Sequence, residues 1–353
     1  MATPQPQTFV YSTTPSGHQL KLDIYLPSTP PPDAGFPLVI SFHGGGLFSG
    51  SRNDALFNQA VKDRFLSKGF VFISPDTRLI IPYRTTGTAF PIDIAALFVY
   101  LASSNFTTAK INKAKLAIVG YSAGAHMARV SVIELAKPHL SHMGWKVNAL
   151  ASNFGMGGEY LDDENLKLKI QPRASRVAVG IENLVTREEV AHWLDADHAK
   201  NAEEMSERPI TFTPRGVDDA YETAALIVYL REQGIWLDFL TGSDGLSSKL
   251  RDLPYELRAP AIPEELKPLF PQLSLNSSFP PTYLVHGDSD SYILAEESIR
   301  TKETLDALGV ECVLMVVKGA EHGLVSLIPG AGPVKEAADV NAAMVDWVAK
   351  QTI

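Results

Sequence analysis

The chain has 353 residues, 45% hydrophobic and 20% charged, a balance too apolar for disorder and too charged for a mostly membrane-embedded protein. Its formal charge of −9 comes without a clustered Lys/Arg run, which argues against nucleic acid or an anionic lipid surface as a partner. A single cysteine, Cys312, excludes an internal disulfide, thiolate zinc fingers and cysteine-held iron–sulfur clusters, and fits a reducing, cytoplasmic setting.

Residues 1–9 have no positive start and no apolar stretch, so no secretory signal is read there. No apolar run approaches the roughly 20 residues that span a bilayer. Residues 8–26 alternate apolar and polar around Pro15-Ser16-Gly17, the pattern of a hairpin. A proline-rich connector, 27–37, leads into a buried strand at 38–42, followed at once by His43-Gly44-Gly45-Gly46. Helical spacing at 54–67 places Leu56, Val61 and Phe65 on one side; 70–74 is a strand and 91–103 a helix opened by proline. A strand at 115–119 runs into Gly120-Tyr121-Ser122-Ala123-Gly124, a helix leaves over 123–137, and 147–152 is again a strand.

Continuous apolar strands separated by helices predict an α/β fold whose mostly parallel sheet is covered on both faces. The rhythm breaks between 156 and 278, where helical periods at 186–201 and 218–233 and a proline-punctuated stretch at 254–271 carry no convincing buried strand. It resumes with strands at 282–285 and 312–317 and helices at 295–308 and 337–350. The predicted organisation is a core of 1–155 and 279–353 interrupted by a helical cap, 156–278. Trp193, Tyr221, Tyr229, Trp236, Phe239 and Tyr255 are read as the core of that cap.

The chemistry-bearing residues fall at predicted strand ends. A serine on a tight strand-to-helix turn needs neighbours without bulk two places before and after it, which accounts for Gly120 and Gly124. Such a turn exposes the Ser122 hydroxyl above a helix N-terminus. Consecutive glycines at 44–46 let backbone amides turn toward a reacting carbonyl oxygen; the segment lacks the Lys-Ser/Thr of a phosphate loop and the spacing of a dinucleotide site. A serine nucleophile needs a base. Of nine histidines, His322 in Gly319-Ala320-Glu321-His322-Gly323 lies just beyond the last strand. His126, one helical turn after Ser122, points away along its helix. The base needs a carboxylate, and His286-Gly287-Asp288-Ser289-Asp290 offers two; Asp290 is favoured by its reach, while Asp288 suits a hydrogen bond to its own turn. The order Ser122, Asp290, His322 is that of an α/β-hydrolase sheet. Leu47, Phe48, Tyr121, Phe154 and Met156 follow sheet edges and are read as substrate-lining. His192, Asp195, Asp197 and His198, with His139 and His142, are too irregularly spaced for a metal and read as solvated surface. No metal or cofactor is expected.

These segments resemble the α/β hydrolases, and within them the hormone-sensitive-lipase-like carboxylesterases: HGGG at 43–46, GYSAG at 120–124, HGDSD at 286–290 and EHG at 321–323, with Thr77-Arg78-Leu79 and Phe90-Pro91 between the first two. The resemblance covers most of the core and not 156–278. It implies an oxyanion hole from the amides of Gly45, Gly46 and Ala123, and a small-molecule acyl substrate. The chain departs from that branch in carrying Tyr121 where an acidic residue is usual, and Ser122-Ala123-Gly124-Ala125-His126 is also similar to the arylformamidases. The expected activity is hydrolysis of a lipophilic ester through an acyl-enzyme on Ser122. Amide, formamide or lactone hydrolysis, acyl transfer, C–C cleavage and a non-catalytic receptor are its alternatives, and the oligomeric state is left open.

Overall fold

The computed structural model describes residues 5–54, 58–169, 184–195, 197, 202–208, 219–328 and 331–353. Leu56, His198, the Tyr221 side chain and parts of the 186–201 and 218–233 segments lie outside the described residues. Eight strands form one sheet: β1 (Gln7–Thr13), β2 (Gln19–Tyr25), β3 (Phe36–Phe42), β4 (Val71–Pro75), β5 (Ile111–Tyr121), β6 (Val147–Asn153), β7 (Thr282–Gly287) and β8 (Cys312–Val317). Their order is β1-β2-β4-β3-β5-β6-β7-β8. The hairpin β1–β2 and the β2–β4 pair are antiparallel; every other pairing in the sheet is parallel. This is the mostly parallel sheet that the strand–helix rhythm predicts.

The period of two along each strand divides the interior into two cores. Leu38, Ile40, Phe42, Leu116 and Ile118 face one side, where helices α2 (Ala89–Ala102) and α3 (Ala123–Leu135) contribute Ile94, Leu97 and Met127. Val39, Ala117, Val119 and Ala151 face the other, against Val61 and Phe65 of α1 (Gln59–Ser67) and Val345 and Val348 of the closing helix Ala337–Thr352. Sequential crossovers place β3 beside β5, and β6, β7 and β8 beyond it, so the loops leaving all these strands gather at one sheet edge.

Among the described residues, 156–278 adds no strand to this sheet. Its helices include Asp219–Glu232, Trp236–Thr241 and Leu246–Arg251, whose Leu226, Leu230, Leu240 and Leu250 continue the first core without a break. Trp193, Tyr229 and Trp236 are buried there, whereas Tyr255 is exposed and donates to Glu159. In its described part the segment 186–201 forms a turn and a 3-10 turn, Ala191–Leu194, and Asp197 is helical. Asp195 is extended (φ −85°, ψ 118°) and its carboxylate accepts from the Asp197 amide, the bond that an N-cap side chain makes.

A buried polar layer fastens residues 156–159 to the core. Arg129 on α3 donates to the Met156 carbonyl at 2.5 Å and to Thr301 Oγ1 at 3.3 Å. Glu297, at the start of the helix Glu296–Ala307, accepts from the amides of Gly158 and Glu159 at 2.7 and 2.8 Å. Burial pushes the Glu297 carboxyl up to about 7, against the opposing pull of those amides and of Arg231 and Arg129. The folded protein therefore holds a proton that the unfolded chain releases near 4.5, so stability falls as pH rises from that value through about 7. Buried Asp76, raised to about 6, acts with the same sign. Urea unfolding of Glu297→Gln at pH 5 and pH 8 should show a shallower loss than wild type, by on the order of 2 kcal/mol. An equal loss in both proteins would remove Glu297 from the account.

Candidate active site

The site begins with a steric problem at the β5–α3 junction. Ser122 takes φ 52° and ψ −120°, a backbone conformation that a residue with a side chain rarely adopts. A Cβ on Gly120 would lie 2.3 Å from the Gly124 carbonyl oxygen, and a Cβ on Gly124 would lie 2.2 Å from the Phe42 carbonyl oxygen at the end of β3. The two glycines are thus required by backbone contact, and the second lets α3 start directly against β3. The turn is pinned by Ser122 N–H to Asn153 O (2.9 Å) and Met156 N–H to Ser122 O (3.0 Å). Ser122 as a whole is 9% exposed.

His322 Nε2 stands 2.9 Å from Ser122 Oγ, and His322 Nδ1 stands 2.8 Å from Asp290 Oδ2. The loops after β5, β7 and β8 deliver these three groups. A Cβ on Gly287 would come within 2.1 Å of the Ala320 carbonyl oxygen, which shows how closely the last two loops run. Burial alone would raise the Asp290 carboxyl, but His322 and His286 outweigh it and hold the group well below the usual carboxylate range. An ionised carboxylate only accepts, so the neutral imidazole carries its proton on Nδ1 and offers the Nε2 lone pair to the serine hydroxyl. Asp288 is exposed and accepts from the Gly319 amide at 2.6 Å, a bond to the loop after β8 and not to the backbone of its own turn.

The glycine loop after β3 closes the other side. Gly45 and Gly46 have φ of 106° and 64°. A Cβ on Gly45 would meet the Ser49 carbonyl oxygen at 2.1 Å, and one on Gly46 would meet Ile227 Cδ1 at 2.6 Å. The Phe48 and Ser49 amides both donate to the Gly45 carbonyl, which curls the loop. Among the described residues, the amides of Gly45, Gly46 and Ala123 donate to no protein acceptor. Ala123 is also the first residue of α3, where the helix dipole adds partial positive charge. Gly44 lies against Ser122, its would-be Cβ 3.3 Å from the serine Cβ. Arg78, in the segment between the two motifs, forms a bidentate pair with Asp93 of α2, while the Ile80 amide donates to Leu47 O.

The residues read as substrate-lining separate into two groups. Phe154 meets the edge of the His322 ring at 5.0 Å, and Tyr121 packs on Phe154 at 6.1 Å. Leu47 borders a small cavity with His43, Gly44 and Ala123. Phe48 and Met156 are packed into the first core, at 0% and 2% exposure. His126 is fully buried 2.8 Å from the Tyr160 hydroxyl, and burial, with Arg129 nearby, brings it down to about 3. His139 contacts Glu134 and His142 the Pro138 carbonyl, and no group of three or more His, Cys, Asp or Glu among the described residues is arranged to hold a metal. Cys312 is buried in the first core, its thiol pushed up to about 11 by that burial, which suppresses the thiolate. No helix among the described residues is long and apolar enough to cross a membrane.

Three site residues escaped the sequence reading. His286, at the end of β7, gives its Nε2 proton to the Ile293 carbonyl at 2.8 Å and lies 3.3 Å from Asp290 Oδ2. Tyr292 stacks on the His322 ring at 5.5 Å. Glu321 binds the Asp290 and His322 loops together. His286 and Glu321 left a trace in the sequence, as members of the HGDSD motif at 286–290 and the EHG motif at 321–323.

Comparison with known proteins agrees with this architecture. An esterase of Thermogutta terrifontis superposes with a TM-score of 0.56 at 18% identity, covering 98% of this chain and 91% of that one. An esterase of Pyrobaculum calidifontis gives 0.54 at 17%, covering 98% and 85%. A Staphylococcus aureus protein of unknown function gives 0.60 at 16%, covering 98% and 100%. At these identities the likeness is one of fold. The 5-methylorsellinic acid synthase of Aspergillus terreus is 26% identical over 342 residues, 90% of this chain but only 12% of that protein. The family model described as BD-FAE matches residues 22–233, well over half of the chain. The protein therefore belongs to the BD-FAE family, an α/β-hydrolase-like family.

Proposed function

We propose that the protein is a serine ester hydrolase that works through an acyl-enzyme on Ser122. The observation that carries this reading is the unbroken chain Ser122 Oγ, His322, Asp290 at 2.9 and 2.8 Å. His322 Nε2 takes the hydroxyl proton as Oγ attacks the acyl carbonyl carbon. The resulting oxyanion is met by the amides of Gly45, Gly46 and Ala123. The imidazolium, stabilised by Asp290, returns the proton to the departing alcohol oxygen; a water then repeats the cycle and frees the acid.

A lipophilic substrate is supported by the surroundings: Phe154 and Tyr292 flank the imidazole, and Ile227 lies against Gly46. Ile227 belongs to the helix Asp219–Glu232, and Gly50 pairs with Arg208, so parts of 156–278 reach the glycine loop. These contacts favour the reading of 156–278 as a cap over the site. The likeness to a segment of a synthase named for a carboxylic acid product favours, as a second reading, release of an acyl group from a larger acyl donor by the same serine. Hydrolysis rates on matched ester and thioester substrates separate the two.

Ser122→Ala should lower kcat on p-nitrophenyl esters by roughly 10³-fold or more while the fold is kept. Wild-type turnover in this variant would refute the nucleophile assignment. Asp290→Asn places an amide that can donate toward His322 Nδ1 and so favours the wrong tautomer. Its kcat should fall by about 10³-fold or more with labelling by a fluorophosphonate slowed in parallel. Labelling at the wild-type rate would show that the imidazole does not depend on Asp290.

A further inference from the structure

The acid and the base of the proposed triad come from loops after different strands, and their relative position is not set by the sheet ladder. The backbone immediately after the base is irregular: Gly323 and Leu324 follow His322 with φ of 78° and 57°. A two-residue antiparallel ladder, Glu321 with Val325 and Ala320 with Ser326, is the regular structure flanking it. Such a loop gives an imidazole little inherent registry.

Glu321 supplies what the ladder lacks. Its side chain is buried, at 3% exposure, between the two loops. One oxygen, Oε1, accepts from the Ser291 amide at 2.7 Å and from the His322 amide at 2.9 Å. The other, Oε2, accepts from the Ser291 hydroxyl at 2.9 Å. Ser291 is the residue next to Asp290. A single carboxylate therefore spans from the backbone beside the acid to the backbone of the base. Asp290 reinforces the same corner from within, as its Oδ1 accepts from the Tyr292 and Ile293 amides at 3.0 and 2.9 Å. That turn places the Tyr292 ring over His322.

We propose that Glu321 is a positioning residue that sets the Asp290–His322 geometry by hydrogen-bonding both loops at once. The inference rests on the serine-hydrolase reading given above. It assigns the role to hydrogen-bond reach, with charge secondary: the three donors that converge on the side chain are two backbone amides and a hydroxyl. A glutamine has the same reach. Its Oε1 accepts from both amides, and its amide group donates to Ser291 Oγ, a hydroxyl that also accepts. An aspartate keeps the charge but is one methylene too short to span the two loops.

The test is steady-state kinetics on a p-nitrophenyl ester for Glu321→Gln, Glu321→Asp and Glu321→Ala, with thermal unfolding of each and Ser122→Ala assayed alongside. Glu321→Ala and Glu321→Asp should lose about 10- to 100-fold in kcat with KM held within about twofold, the signature of a misplaced base. Glu321→Gln should stay within about threefold of wild type. If the alanine variant does not fold, the Gln and Asp pair decides alone. Glu321→Ala at the wild-type rate, or Asp active and Gln impaired, overturns the proposal while an inactive Ser122→Ala leaves the triad standing. An active Ser122→Ala sinks the underlying reading instead.

Discussion

Everything at the site depends on the backbone of Ser122 holding φ 52° and ψ −120° between two glycines. That conformation is unfavourable in isolation, and it survives because its surroundings leave no alternative. Below it, Gly124 is pressed against the Phe42 carbonyl; behind it, Ser122 N–H is tied to the end of β6. The same compression that strains the turn brings the end of β3 next to the nucleophile. The glycine loop and the serine are thus neighbours because two strands and one helix meet without room for a Cβ.

In the proposed mechanism, electrostatics sets the direction of proton flow. Asp290 is buried, yet two imidazoles and two amides converge on it and keep it ionised. A carboxylate in that state places the proton of His322 on Nδ1 and leaves the Nε2 lone pair facing Ser122 Oγ, as the proposed mechanism requires. His286 spends its own Nε2 proton on a backbone carbonyl and its Nδ1 lies 2.8 Å from Ser298 Oγ, so it supports Asp290 without competing for the hydroxyl. In the same proposal, the amides of Gly45, Gly46 and Ala123 and the N-terminus of α3 provide the positive field that a developing oxyanion needs.

Much of this was legible in the sequence because it follows from short-range rules. Continuous apolar runs identify β3 to β8, and the spacing of Gly120 and Gly124 around Ser122 is a steric requirement visible without coordinates. Chain order pointed to Asp290 and His322 because each follows a strand. What stayed hidden depends on contacts between distant loops. Glu321 stands in the EHG motif with no role legible in one dimension, and only the proximity of Ser291 shows that its carboxylate bonds both loops. Tyr292 is likewise an unremarked loop residue until the His322 ring arrives beneath it. Phe48 and Met156 were read as substrate-lining because they follow strand ends. Leu47, at φ 73°, takes a left-handed turn that sends Phe48 into the core, and Met156 is drawn in through its carbonyl bond to Arg129.

The central claim is that the acyl group is carried by Ser122. The most direct measurement is intact-protein mass spectrometry on enzyme quenched during turnover of a slowly released aryl ester, followed by peptide mapping. The account predicts a single adduct of the acyl mass on the peptide that contains Ser122, with none formed in Ser122→Ala. Turnover without an adduct, or an adduct on another residue that persists in Ser122→Ala, would contradict it.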